Sequence, residues 1–130
     1  MRYALLNLLA CPMCKNFPLK LYVFERKTIE KHFKVKKPFC DLYCGLKESY
    51  IKDLNVNELN CDECVRIDII SGVIVCNKCG RWYPIMEEIP ILLPDELRNK
   101  EEDLRFLRKH KDNLPSKIVL EGKPWSLKEG

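Results

Sequence analysis

The stretch "CNKCGRWYPIMEEIPILLP", Cys76 to Pro94, sets two cysteines at metal-ligand spacing directly ahead of an apolar run broken by prolines. Thiols three positions apart on a tight turn point at one metal, so Cys76 and Cys79 read as half of a thiolate site. The run behind them is far short of the ~20 apolar residues of a membrane helix. Its prolines cannot donate to a ladder on both sides, which bars it from a central strand position and allows an edge.

The other half of the site must come from elsewhere in the chain, and there is no shortage of thiols. The eight cysteines fall as Cys11/Cys14, Cys40/Cys44, Cys61/Cys64 and Cys76/Cys79. Two such pairs make the closed tetrahedral set of a structural zinc site, which staples chain segments and leaves no open position for catalysis. Pairing Cys40/Cys44 with Cys61/Cys64 leaves sixteen residues between them, close to a common zinc-site template. That leaves Cys11/Cys14 for Cys76/Cys79. The rival joins Cys61/Cys64 to Cys76/Cys79 across "VRIDIISGVIV", which reads as a β-hairpin turning at Ser71-Gly72. Spacing leaves the matching open. The remaining set has three readings: a second zinc, one or two disulfides, or free buried thiols, disulfides being unusual in the cytosol.

Around the cysteines, "PLKLYVFER" alternates as a strand covered on both faces. "ALLNLLA" makes a helical turn or two entering the first cysteine pair. "LKESYIKDLNVNEL" places Leu46, Tyr50, Ile51 and Leu54 at helical spacing, marking a partly helical insertion over residues 28–60. Pro94 and Asp95 open a helix to about His110, acidic at its start and basic at its end as the helix dipole favours. The tail, 112–130, has no clear period, and Trp125 either docks or moves with it.

With 130 residues, 46% hydrophobic and 32% charged, the chain is a globular domain with room for a small satellite lobe. The start "MRYALLNLLACP" lacks a small-residue cleavage site and reads as mature, cytoplasmic sequence. The net charge of +4 concentrates in "RKTIEKHFKVKK", Arg26 to Lys37. That run is either a phosphate-contacting stripe or, by default, a solvated face. His32 and His110 read as surface residues. No Gly-rich phosphate loop, paired-carboxylate signature or nucleophile motif is present, so a non-enzyme is expected.

Two segments carry a resemblance: "LLNLLACPMC", Leu5 to Cys14, and "GVIVCNKCGRWYPIMEEIPILLPDEL", Gly72 to Leu97, with the strand "FPLKL" between them. Together they resemble the small zinc-binding activator subunit of S-adenosylmethionine-dependent methyltransferases that modify tRNA, rRNA and translation release factors. The resemblance implies an α+β fold: a zinc-ribbon-like antiparallel sheet built from both chain ends, 1–27 plus 61–111, with the insertion 28–60. It selects Cys11, Cys14, Cys76 and Cys79 as zinc ligands and says nothing of Cys40, Cys44, Cys61 and Cys64. Glu88 stands where many members carry glycine, so the turn there is expected to differ.

The resemblance also implies a use for the apolar ribbon. Members of the family pair an edge strand with an exposed strand of the methyltransferase and cap an apolar patch on it, as a heterodimer. Carried onto this chain, the contact residues are Leu5, Leu8, Leu9, Trp82, Tyr83, Ile85, Ile89, Pro90, Ile91 and Leu92. RNA contact is expected only within such a complex. The alternatives are a nucleic-acid-binding zinc ribbon of transcription or translation, and a rubredoxin-like iron centre. Against the latter, "CPMCK" lacks the glycine that follows Cys79.

Overall fold

The computed structural model describes residues 1–129. A 3-10 turn over Tyr3–Leu8 leads into the first cysteine pair. Strand β1 (Lys20–Thr28) follows, then a lobe holding the two-residue strands β2 (Tyr43–Cys44) and β3 (Ser49–Tyr50) and the short helix α1 (Cys61–Cys64). The chain returns through β4 (Ile67–Val75), β5 (Trp82–Met86) and β6 (Ile89–Pro90), and ends in α2 (Lys100–His110) and α3 (Ser116–Glu121). The main sheet has the order β1-β4-β5-β6, every pair antiparallel, and β2 and β3 make a small ribbon of their own.

One expectation is corrected at once. "VRIDIISGVIV" is not a hairpin: β4 runs straight through Ser71-Gly72. Gly72 has a different reason to be glycine, because a Cβ there would lie 2.3 Å from the Tyr22 carbonyl oxygen of β1. The two backbones close on each other beside a double irregularity, where the pairing skips Phe24 on β1 and Ile70 on β4. A skipped residue reverses which face the following side chains take. Ile69 and Ile74 therefore share one face despite their opposite parity.

The sheet buries both faces. On one, Leu21, Ile69, Ile74, Tyr83 and Ile85 pack with Tyr3 and Leu6 of the 3-10 turn and with Tyr43 of the lobe. On the other, Val73, Val75 and Trp82 pack with Phe106 and Leu107 of α2 and with Ile118 and Val119 of α3. The segment after Lys111 is thus folded onto the sheet. Trp125 docks in it: its indole N–H donates to Asp103 at 3.0 Å, and its carbonyl accepts from Trp82 at 3.1 Å.

The inserted lobe has little regular structure. Its helical content is the single turns Ile51–Asp53 and Val56–Glu58 and the four residues of α1. Tyr50, placed by spacing on a helix, belongs to β3 and meets Tyr43 edge-on with ring centroids 5.7 Å apart. Short apolar spacings of this kind fit either period, and here aromatic cross-strand packing prevails. Asn7 ties the lobe to the 3-10 turn. Its side-chain amide exchanges two hydrogen bonds with the Tyr43 backbone, at 2.7 and 2.8 Å. Among the described residues, no helix is long and apolar enough to cross a membrane.

Candidate metal centre

Both outer cysteine pairs sit on the same backbone turn. In the first, the Lys15 N–H donates to the Cys11 carbonyl at 2.8 Å and the Cys11 N–H to Asn16 at 3.0 Å. In the second, the Gly80 N–H donates to Cys76 at 2.9 Å and the Cys76 N–H to Arg81 at 2.8 Å. The residue after each second cysteine is left-handed, Lys15 at φ 65° and Gly80 at φ 79°. Lys15 thus takes the conformation that glycine supplies in the other turn, which explains how a pair without that glycine still closes.

The antiparallel pairing of β1 with β4, Lys20 opposite Val75, brings the two turns together. The sulfurs of Cys11, Cys14, Cys76 and Cys79 all lie within 4.8 Å of one another, with Cys11 to Cys79 at 3.7 Å and Cys14 to Cys76 at 3.4 Å. A tetrahedron with metal–sulfur bonds of about 2.3 Å has edges of about 3.8 Å. The four thiols could hold a metal ion with shifts of no more than about an ångström, and four thiolates select zinc or iron over hard cations. This geometry brings together the two pairs that the resemblance selects.

The surroundings hold the sulfurs in place. The Tyr83 hydroxyl lies 3.2 Å from Cys11 Sγ, in position to donate to a thiolate. Burial opposes the charged form of Cys11, but this hydrogen bond and the N–H groups of Cys14 and Met13 outweigh it and bring the thiol down to about 6. Its neighbour Cys76 is driven up to about 12, chiefly by burial. The two directions disagree because four thiols this close cannot all ionise without a cation between them. A bound metal removes the conflict by taking every proton's place. Arg81 braces the second turn through a two-pronged bond to Asp95, at 2.8 and 2.7 Å. That pairing holds the Asp95 carboxyl below its ordinary range.

The inner cysteines are together too, more loosely. Cys40, Cys44, Cys61 and Cys64 line a single cavity of about 110 Å³ between the lobe and the 3-10 turn. No two cysteines are bonded to each other in the structure.

The expected contact residues divide. Trp82, Tyr83 and Ile85 are fully buried in the two cores and are withdrawn from any surface role. Sequence reasoning set them on an edge because of Pro84, yet β5 is an inner strand. Its outer side is filled by β6 and by Lys123, whose carbonyl accepts the Trp82 N–H at 3.2 Å. Pro84 is tolerated because its nitrogen faces that side, where its carbonyl accepts from Ile91 at 2.9 Å. The edge itself is the ribbon beyond β5. Ile89 is 60% exposed and Leu8 80%, while Leu5, Leu9, Pro90, Ile91 and Leu92 are half-buried. Between β5 and β6, Glu87 and Glu88 are both left-handed, at φ 50° and 69°. That is the two-residue hairpin turn that favours glycine, kept here without one.

Of the histidines, His32 is exposed as expected. His110 is half-buried and stacks on Phe24, with ring centroids 4.5 Å apart. Sequence reasoning missed Arg98. Its guanidinium, 2% exposed, bonds Asp103 at 2.8 Å and the Trp82 carbonyl at 2.5 Å and lies over the rings of Trp82 and Tyr83.

Residues 2–88 match the family described as Trm112p-like protein. The chain belongs to this family. The match takes in all eight cysteines, β1 to β5 and the turn at Glu87-Glu88, and ends before α2 and α3. In fold, the chain is similar to one in the solved structure of the E. cuniculi Mtq2–Trm112 complex, described as responsible for methylation of the eRF1 translation termination factor. The similarity covers 72% of this chain and 95% of that one, at 24% identity and a TM-score of 0.51. No curated protein matches the chain.

Proposed function

We propose that this chain is a non-catalytic subunit that binds and stabilises a methyltransferase acting on the translation machinery, whether on tRNA, rRNA or a release factor. The observation that carries the reading is the four-thiol cluster joining the two ends of a chain matched over residues 2–88 to the Trm112p-like family. In this reading Cys11, Cys14, Cys76 and Cys79 hold zinc, which fixes the two turns and hence the start of β5. The metal is structural, since four protein thiolates leave no place for a substrate.

The ribbon from Ile89 to Leu93 is then the docking element. It is the outermost part of the sheet on that side, apolar and partly open, and Pro90 within it and Pro94 just after it discourage pairing with a second copy of itself. An extended strand of the enzyme laid along it gains backbone hydrogen bonds and covers Ile89, with Leu8 adding apolar surface. Activation is linkage: a partner that binds only the folded enzyme stabilises it by mass action.

Co-expression with candidate methyltransferases tests this. The expected result is a large gain in soluble, S-adenosylmethionine-binding enzyme, and a loss of at least tenfold in complex affinity with Ile89→Asp. An enzyme equally soluble and active without the chain would contradict it. A colourless complex containing zinc removes the iron alternative.

A further inference from the structure

The lobe between β1 and β4 poses a physical problem that the first metal centre does not solve. It spans residues 29–66 with two strands of two residues and single helical turns. Among its described side chains only Tyr43, Cys44 and Leu59 are buried apolar ones. Although Tyr43, Leu46 and Tyr50 dock on the main core, a segment of this size with so little packing of its own gains from a cross-link such as a disulfide or a metal.

The four remaining cysteines are where such a cross-link belongs. α1 carries Cys61 and Cys64 one turn apart, so both thiols face the same side of that turn. Cys40 precedes β2 and Cys44 is its last residue, and all four line the one cavity, walled otherwise by side chains such as Phe39, Ile51 and Leu59. The C-x-x-x-C and C-x-x-C pairs are separated by sixteen residues, a spacing that suits a four-thiolate site. The cavity's volume of about 110 Å³ admits a metal ion once the sulfurs turn inward.

We propose that Cys40, Cys44, Cys61 and Cys64 form a second, structural metal site that takes zinc and organises the inserted lobe. The site is looser than the first, for among the described residues only the outer four sulfurs already lie within 4.8 Å of one another. Metal entry draws the Cys40–Cys44 loop against α1. As the ion binds, each thiol gives its proton to solvent, and four metal–sulfur bonds replace four S–H bonds. Nothing is oxidised. Lys47 also lines the cavity and offsets part of the net negative charge of a four-thiolate centre, while Arg2, another lining residue, is paired with Asp68. Asn7 bonds the Tyr43 backbone beside Cys44, so an ordered lobe is locked to the 3-10 turn that precedes the first centre.

The test uses the full chain, purified under reducing conditions, with zinc as the probe. Metal analysis is expected to give about two zinc ions per chain, falling to about one in the double variant Cys61→Ser/Cys64→Ser. If that variant does not fold, titration of metal-free wild type with cobalt decides. A second equivalent that adds as much thiolate charge-transfer and tetrahedral ligand-field absorption as the first supports the site. One zinc per chain overturns it, whether the inner cysteines are then free to alkylation or joined as disulfides by intact mass. So does a cobalt spectrum that saturates at one equivalent. These readouts need no methyltransferase, so the inference can fail while the proposed function stands.

Discussion

Lys15 and Gly80 occupy equivalent positions after their cysteine pairs, and both are left-handed. For a residue with a Cβ that conformation costs about 1–2 kcal/mol, while glycine enters it freely but loses more entropy on folding. Lys15→Gly is therefore expected to stabilise the chain by about 0.5–1 kcal/mol, read as a higher midpoint in chemical denaturation of the metal-loaded protein. No change, or a loss, would mean that Lys15 contributes something the turn geometry does not reveal. Gly72 is the opposite case. A Cβ there meets the Tyr22 carbonyl at 2.3 Å, and backbone yields poorly. Gly72→Ala is expected to cost about 2–3 kcal/mol, at the upper end for overpacking, and to lower the thermal midpoint accordingly.

At the level of elements, the helix expected from Pro94 to His110 is broken. A single turn at Asp95–Leu97 is followed by α2, which begins afresh after Asn99, whose side chain accepts from the Glu102 N–H at 3.0 Å. The break turns Arg98 inward, and this one side chain links α2, through Asp103, to the carbonyl of Trp82. Its Nη2 atom has no hydrogen-bond partner, a burial cost partly offset by the faces of Trp82 and Tyr83. Arg98→Ala strands Asp103 without its counter-charge. It is expected to destabilise the chain by about 3 kcal/mol, measured by thermal or denaturant unfolding. A loss below about 1 kcal/mol would show that the pair is replaceable by water. Nothing in the sequence marked Arg98 apart from its neighbours, because its role depends on a helix break that composition does not encode. The same limit explains β4. Ser71-Gly72 carries a turn signal, and only the approach of β1 shows that the glycine serves packing instead. The alternation in β1, the basic end of α2 and the spacing of the cysteines were legible, because each is a local pattern with a local cause, whereas the acidic start read at Asp95 and Glu96 falls on the separate turn before α2. The matching of the cysteine pairs was not local: the family resemblance selected the outer two, and only the fold brings their sulfurs together.

Across the whole molecule, the sheet stands between two packed faces. One joins it to the 3-10 turn and the inserted lobe, the other to α2, α3 and the docked tail. The four-thiol cluster clamps the end of the sheet at which β4 passes into β5, and the apolar ribbon leaves the far side of β5. On the proposed reading this arrangement gives the greasy ribbon a use: the cysteine turns and the two cores hold the edge in shape for a partner to cover. The fully buried Trp82, Tyr83 and Ile85 act as the floor of that edge.

The most direct measurement is affinity purification of the tagged protein from its native cell extract at moderate salt, with the co-purifying proteins identified by mass spectrometry. The account predicts near-stoichiometric recovery of one or more S-adenosylmethionine-dependent methyltransferases, reduced by Ile89→Asp. Recovery of only ribosomes, polymerase or free RNA would contradict it and would favour a nucleic-acid-binding ribbon.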